Sequence, residues 1–289
     1  MDKRLQEELL ELTFSLDNSR IINPLLERRA SALISVLEES FDSGYEMYTW
    51  LHARFINALK KSNLGSSVDI DHKEKSLQRL CDIVCIGDSN TYMEDEKEII
   101  PLRETYPFFL LNYLREDDNP HNILNLGLPG YTIRDYNQFL EETGIHRAFV
   151  REKRIIIISL GTNDLGIAIQ MKNFDDVKSK IVHDMDALAD FVRCNPASKI
   201  YCLPILYHNK DLLKAAGIQE RKIIEINSAL EETCQKNDIH YIPIKGFEQK
   251  HYQDFIHFNR LGGIRIAADV FNAIKPGLDD MRRYKMFRI

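Results

Sequence analysis

A serine follows an apolar run at residues 81–86, directly behind a glycine and an aspartate. Gly87 can adopt backbone angles closed to other residues, and Asp88 or Ser89 can cap a helix, so a strand end, a tight turn and a helix start coincide here. Turn chemistry alone explains such a tripeptide. The alternative is that Ser89 is a nucleophile, which a serine becomes only when a base within hydrogen-bond reach takes its proton.

A histidine and an aspartate near the C-terminus are the groups that such a serine needs. His257 follows Asp254 by three residues. On one turn, this spacing lets the carboxylate orient the imidazole and stabilise its charged form during a reaction. A helix-capping turn also brings these residue types together, so the pair alone does not identify a catalytic site.

Two further stretches, residues 125–132 and 161–164, combine glycine with asparagine. In order and spacing, these stretches and the segments around Ser89 and His257 resemble the sequence blocks of the SGNH hydrolase family, also called GDSL esterases and lipases. The resemblance covers residues 81–275. It implies hydrolysis of carboxylic esters through an acyl-enzyme intermediate, without a metal or an organic cofactor. The substrate is a small-molecule, glycan or lipid acyl ester, because the same residues allow O-deacetylation of a carbohydrate and cleavage of a lysophospholipid or a thioester.

The resemblance also implies a role for each site residue. Ser89 is the expected nucleophile, His257 the group that relays the proton, and Asp254 the group that orients the imidazole. The negative charge that develops on the carbonyl oxygen is expected to be held by the backbone N–H groups of Ser89 and Gly130 and by the side-chain amide of Asn163. Donors aimed at that oxygen are usually the largest single catalytic contribution.

Gly130 is preferred to Gly127 as the glycine donor because a threonine, Thr132, follows it two positions later, as in the family. Gly127 is expected to permit a tight exit from a strand. Turn chemistry in the loop and a helix cap at residue 163 explain these residues equally well without catalysis. Asp88 and Asp164 are expected to brace backbone turns rather than react.

One departure from the family pattern is Asn90, which stands where the namesake motif has leucine. It is expected to add a polar side chain near the nucleophile, which favours a polar or short acyl substrate over a long-chain lipid. Tyr207, His208 and Asn209 follow a predicted strand and either line the substrate pocket or belong to an ordinary surface loop.

Strand and helix patterns alternate after residue 80, which predicts an α/β, three-layer, doubly wound sandwich with a five-stranded parallel sheet. The predicted strands are 83–86, 123–126, 154–160, 199–205 and 240–244. The predicted helices are 107–116, 133–142, 174–193, 221–236 and 259–273. The family resemblance implies the flavodoxin-like strand order 2-1-3-4-5, in which the loops after the first three strands meet at one rim of the sheet, where such sheets bind ligands.

We divide the chain into an all-helical N-terminal segment with a linker at 1–78, a hydrolase domain at 79–276 and a basic, apolar tail at 277–289. Apolar residues recur with helical spacing through about three helices before residue 61. These helices either bind a protein partner, cover the site as a lid, or simply form core. The tail either contacts a membrane surface or packs against the domain.

Composition limits the other functions. The net charge of −6 makes nucleic acid an unsuitable partner. No apolar run approaches the roughly 20 residues that span a bilayer, and the N-terminus lacks a signal-peptide pattern. We therefore expect a cytoplasmic protein, or one exported without a cleavable signal. The five cysteines, which lack metal-site spacing, are expected to be buried free thiols rather than disulfide or metal ligands: Cys81, Cys85, Cys194, Cys202 and Cys234.

Two other functions remain open on the sequence. An acyltransferase would use the same residues, with an alcohol in place of water as the acyl acceptor. A binding or scaffold protein would act through the N-terminal helices, with the hydrolase fold as support.

Overall fold

The structure is a computed structural model. It describes residues 8–9, 11–13, 15–16, 24–42, 47–49, 55, 58, 81–92, 105–117, 121–142, 150, 153–193, 195–207, 220–254 and 256–286. The predicted linker at 62–69 lies outside these residues.

A parallel sheet forms the middle of the molecule. Its strands are β1 (Met47–Thr49), β2 (Cys81–Gly87), β3 (Asn122–Gly127), β4 (Ile155–Ser159), β5 (Lys199–Cys202) and β6 (His240–Tyr241). Over the described residues the strand order is β1-β3-β2-β4-β5-β6, and every neighbouring pair is parallel. The five strands from β2 onwards have the predicted order 2-1-3-4-5, so the predicted sheet is confirmed.

The strands are apolar on both faces, as expected where helices cover a parallel sheet on each side. In β2, Val84 and Ile86 face one core cluster, whereas Ile83 and Cys85 face another, and all four are fully buried. This alternation follows from the two-residue repeat of a strand. The sheet therefore separates two cores, which gives the predicted three layers.

The described helices are α1 (Pro24–Asp42), α2 (Ser89–Tyr92), α3 (Tyr106–Glu116), α4 (Ile133–Glu142), α5 (Thr162–Met171), α6 (Phe174–Val192), α7 (Glu220–Lys236) and α8 (Arg260–Met286). Helices α4 to α7 contribute to the core on one face of the sheet, and α3 and α8 to the core on the other. Helix α5, which directly follows β4, was not among the predicted helices.

The N-terminal segment is not all helical, so that part of the prediction is wrong. Met47–Thr49 forms β1 and pairs with β3, with Tyr48 opposite Leu124, where a third helix was expected. Tyr and Thr favour strands, and the free edge of β3 offers a row of backbone groups to pair with. The second predicted helix is present as α1, and several residues between 8 and 16 are also helical.

The last helix extends past its predicted end at residue 273. Helix α8 runs through Pro276 to Met286, so position 277, where the tail was expected to begin, lies inside a helix. Leu278 is fully buried in the core shared with α3. This burial supports the packed alternative for the start of the tail. Within the described ranges, no helix combines the length and apolarity needed to cross a bilayer.

Candidate active site

Ser89 lies where β2 ends and the short helix α2 begins. A side chain at Gly87 would overlap Thr91 and lie 2.8 Å from the carbonyl oxygen of Ser159, so the turn requires glycine. The N–H of Asp88 donates to that same carbonyl at 3.3 Å. The chain therefore turns tightly against the end of β4 and leaves the largely buried Ser89 at the carboxyl edge of the sheet.

The structure brings together the three residues predicted to act in catalysis. Ser89 Oγ lies 3.1 Å from His257 Nε2, and His257 Nδ1 lies 2.7 Å from Asp254 Oδ2. The His257 side chain is 19% exposed and that of Asp254 is 44% exposed. An imidazole placed between a hydroxyl and a carboxylate in this way can take a proton from the hydroxyl while the carboxylate stabilises the resulting charge.

Asp254 is held by the turn that it begins. Its Oδ1 accepts the backbone N–H groups of Ile256 at 2.8 Å and His257 at 2.7 Å, while Oδ2 faces the imidazole. Partial burial raises the pKa of Asp254, but these hydrogen bonds outweigh it and leave the pKa below its ordinary value. The carboxylate is therefore ionised at neutral pH, as an orienting group must be.

Gly130 lies on the loop that follows β3, and Asn163 lies in the first turn of helix α5, which follows β4. Gly130 has a φ of +78°, which glycine adopts without strain. The Asn163 amide donates one hydrogen to the carbonyl of Tyr131 at 2.9 Å, and the N–H of Leu128 donates to Gly87 at 2.8 Å. These bonds join the loop after β3 to the end of β2 and to the start of α5, so the segments that follow β2, β3 and β4 meet at one rim of the sheet, as predicted.

Asp88 and Asp164 brace backbone, as expected. Asp88 Oδ1 accepts the N–H of Asn90 at 2.9 Å, and Asp164 Oδ2 accepts the N–H of Ile133 at 3.1 Å. Burial raises the pKa of Asp88 to about 6, although the Asn90 N–H opposes part of the rise. Burial also raises the pKa of Asp164 to about 7, and the Ile133 N–H again opposes it.

Asn90 places a polar side chain next to Ser89, as predicted, but this side chain is buried and does not present a polar group to a substrate. Its side chain is 1% exposed, and its Oδ1 accepts the backbone N–H of Phe258 at 3.1 Å. The expected preference for polar substrates therefore draws no support from this residue. Sequence reasoning missed the contact because the partners stand 168 positions apart and neither carries a local signal for it.

A second asparagine in this region, to which the sequence analysis assigned no role, is Asn125 in β3. Its Nδ2 donates to the Thr91 carbonyl at 3.1 Å, and its Oδ1 accepts the Gly127 N–H at 3.0 Å. It is fully buried. It therefore joins the helix that carries Ser89 to the loop that leads to Gly130.

A groove of about 360 Å³ opens beside Gly130. It is lined by Pro129, Gly130, Tyr131, Asp135, Gln138, Phe139 and Glu142. Two aromatic rings therefore face two carboxylates and an amide. Tyr207 is partly buried and packs against the core on the side of the sheet that α4 to α7 cover, whereas His208 and Asn209 lie outside the described residues.

Three of the five cysteines, Cys85, Cys202 and Cys234, are buried free thiols, as expected. Burial raises the pKa of Cys85 to about 12, so this thiol remains protonated. The Cys81 side chain and Cys194 lie outside what the structure describes.

Comparisons with known proteins identify the family and the fold. Residues 85–263 match the sequence model of the GDSL-like lipase/acylhydrolase family. No curated protein sequence matches the chain significantly.

Three solved structures have a similar fold. TesA is 15% identical, with a TM-score of 0.51, and the match covers 67% of this chain and 98% of TesA. LAE5, an alpha/beta hydrolase from the metagenome of Lake Arreo, Spain, is 17% identical, with a TM-score of 0.52, and the match covers 66% of this chain and 93% of LAE5. Axe2, an acetylxylan esterase from Geobacillus stearothermophilus, is 15% identical, with a TM-score of 0.52, and the match covers 66% of this chain and 93% of Axe2.

Proposed function

The chain belongs to the GDSL-like lipase/acylhydrolase family of ester hydrolases, and we propose that it cleaves carboxylic esters through an acyl-enzyme intermediate on Ser89. One observation carries the proposal. A continuous line of hydrogen bonds runs from Ser89 Oγ through both nitrogens of His257 to Asp254, although Ser89 and His257 stand 168 positions apart in the chain.

The proposed reaction has two halves. Ser89 Oγ attacks the acyl carbon as its proton moves to His257 Nε2, and Asp254 stabilises the imidazolium that forms. The C–O bond to the alcohol then breaks, and the alcohol leaves with the proton from Nε2. In the second half, His257 takes a proton from water, the resulting hydroxide attacks the acyl carbon, and Ser89 leaves with that proton while the carboxylic acid is released.

The oxyanion of each tetrahedral intermediate is assigned to three donors. Ser89 N–H lies at the start of helix α2, where backbone N–H groups have no acceptor within the helix. Asn163 has two amide hydrogens and uses one on Tyr131, which leaves the second for the oxyanion. The N–H of Gly130 is the third. Loss of one such donor typically lowers the rate by about 10²- to 10³-fold.

We propose a short acyl group on a polar alcohol as the substrate. The groove beside Gly130 supports this choice, because Asp135, Gln138 and Glu142 can accept or donate hydrogen bonds while Tyr131 and Phe139 offer apolar faces. Sugar rings have both kinds of surface. One protein of similar fold is an acetylxylan esterase, so O-acetylated carbohydrates are the first substrates to test.

The test is hydrolysis of a p-nitrophenyl ester series of increasing chain length at neutral pH by the wild type and by Ser89→Ala. Removal of a triad nucleophile typically lowers turnover by about 10⁶-fold, so activity should vanish in this variant. Ser179→Ala is the matched control, since that hydroxyl is exposed and donates to the Asp175 carbonyl on α6. Activity that survives in Ser89→Ala contradicts the serine mechanism. Product analysis with added alcohols distinguishes transfer to an alcohol from hydrolysis.

A further inference from the structure

Asn90 connects the two segments that carry the nucleophile and the base. It directly follows Ser89, and its partner Phe258 directly follows His257. The hydrogen bond from Phe258 N–H to Asn90 Oδ1, at 3.1 Å, therefore lies one residue from each of the two reacting groups. Asn90 and Phe258 are 1% and 3% exposed, so water does not compete for this bond.

The hydrogen bond between Phe258 and Asn90 and the contact between Ser89 and His257 behave differently during the proposed reaction. The contact between Ser89 Oγ and His257 Nε2 breaks in each turnover, because the oxygen becomes acylated and the nitrogen becomes protonated. The bond between Phe258 and Asn90 involves no reacting atom and persists throughout. It can therefore hold the imidazole in place while the catalytic contact is broken.

Two hydrogen bonds within residues 253–257 hold the backbone N–H and the backbone carbonyl of His257. Its N–H donates to Asp254 Oδ1 at 2.7 Å, and its carbonyl accepts the Gln253 N–H at 2.8 Å. These bonds are internal to residues 253–257 and fix the shape of the turn. The Asn90 bond instead fixes the position of the turn relative to Ser89.

We propose that Asn90 is a positioning residue for the proposed reaction, one that keeps His257 within reach of Ser89 through the catalytic cycle. The inference rests on the proposed serine mechanism. It explains why position 90 holds an asparagine, which has an acceptor oxygen, where the family's namesake motif has leucine, which has none. Within the described part of the chain, Asn90 Nδ2 has no hydrogen-bond partner, so the side chain forms its hydrogen bond through the oxygen.

The test compares two substitutions that keep the number of side-chain heavy atoms of asparagine and its branch at Cγ. Asn90→Asp keeps an oxygen that can accept the Phe258 N–H, whether or not the carboxyl is protonated, whereas Asn90→Leu has none. A misplacement of about 1 Å can cost about 10²-fold in rate. We expect kcat for a p-nitrophenyl ester to fall about 10- to 100-fold in Asn90→Leu, with KM changed less than about twofold, and to fall much less in Asn90→Asp.

A second readout does not depend on the substrate. The rate at which a fluorophosphonate probe labels Ser89 should follow the same order, with the wild type fastest, Asn90→Asp next and Asn90→Leu slowest. If Asn90→Leu does not fold, Asn90→Ala takes its place with the same expected loss of kcat. Unfolding temperatures are measured for every variant.

The matched control is Asn237→Leu, at the opposite edge of the sheet. Asn237 is also buried, and its amide donates to the Thr233 carbonyl at 2.9 Å. This variant should unfold at a lower temperature and keep the kcat of the wild type at 25 °C. A purely structural effect of Asn90 would then be visible as a loss of stability without a loss of kcat.

Two results would overturn the inference. Wild-type kcat in Asn90→Leu shows that the bond does not position His257, and equal losses in Asn90→Leu and Asn90→Asp show that the acceptor oxygen is not the cause. If Ser89→Ala abolishes activity in the same experiments, either result removes only the role of Asn90. If Ser89→Ala is fully active, both the serine mechanism and the role of Asn90 are wrong.

Discussion

The Asp254 carboxylate has two tasks that a single substitution can separate. One oxygen accepts two backbone N–H groups and shapes the turn, and the other faces His257 Nδ1. In Asp254→Asn, the amide oxygen can still hold the turn, but the amide nitrogen would donate to Nδ1. The imidazole would then carry its hydrogen on Nε2 and could not take the proton of Ser89.

We therefore expect Asp254→Asn to lose about 10³- to 10⁴-fold in kcat, by analogy with other triads, while its unfolding temperature changes little. Steady-state kinetics and thermal unfolding of the purified variant measure both effects. Asp269→Asn is the control, because Asp269 forms an ion pair with Arg265 at 3.2 Å on helix α8. A loss of less than about tenfold in Asp254→Asn would show that the carboxylate does not orient the base.

Sequence alone could predict the residues whose chemical type and order carry the signal. Ser89, His257 and Asp254 have the chemical types that a nucleophile, a base and an orienting acid need, and Asp254 and His257 also have the local spacing of a known pattern. The hydrogen bond of Asn90 could not be predicted in this way. Its partner is a backbone N–H, which every residue except proline has, so no residue type at position 258 announces the bond.

At the scale of elements, long apolar runs were predictable and short ones were not. Strand β4 consists largely of four consecutive isoleucines and was expected within 154–160. Strand β1 has three residues, too few to show a two-residue alternation, and depends on the edge of β3 for its backbone partners. Helix α8 passes its predicted end because Leu278 is buried against the core, which local pattern does not reveal.

Gly127 shows how the close packing of two elements fixes the position of Ser89. A side chain there would overlap the Tyr92 backbone nitrogen and lie 2.9 Å from the Thr91 carbonyl carbon, both in helix α2. Because these are backbone atoms, the helix that begins at Ser89 would have to move. We expect Gly127→Ala to lose about 1–3 kcal/mol of unfolding free energy, as overpacked sites do. It should also lose about 10- to 100-fold in kcat.

Denaturant unfolding and ester hydrolysis check this expectation, with Gly166→Ala as the control. Gly166 lies inside helix α5 and a side chain there would meet no atom within 4 Å. Alanine in a helix interior is favoured over glycine by about 1 kcal/mol, so this variant should be slightly more stable and fully active. Full activity in Gly127→Ala would show that α2 tolerates displacement.

At the scale of the whole molecule, β1 changes how the N-terminal segment relates to the hydrolase fold. Residues 47–49 complete the sheet beside β3, the strand whose following loop carries Gly130. A strand at that position covers backbone groups that would otherwise form an exposed edge. The boundary placed at residue 78 remains a prediction, but at least this strand belongs to the same sheet as the site.

The buried Asp164 links the site to the pH dependence of folding. Burial raises its pKa from 3.8 to about 7, so between these values the folded protein holds a proton that the unfolded chain releases. The folded state therefore binds more protons in this window, and stability must fall as the pH rises through it. One proton held in this way changes the free energy of unfolding by up to about 1.4 kcal/mol for each pH unit.

Asp164→Asn removes this titration while keeping an oxygen that can accept the Ile133 N–H, which lies 3.1 Å from Asp164 Oδ2 in the wild type. Relative to the wild type, the variant should gain stability steadily from about pH 4 to about pH 7 and keep that gain above it. Urea unfolding at intervals between pH 4 and pH 8 measures the difference. Asp135→Asn is the control, because that carboxylate is exposed and accepts the N–H and hydroxyl of Thr132. Parallel stability curves for Asp164→Asn and the wild type would show that Asp164 is ionised throughout this range.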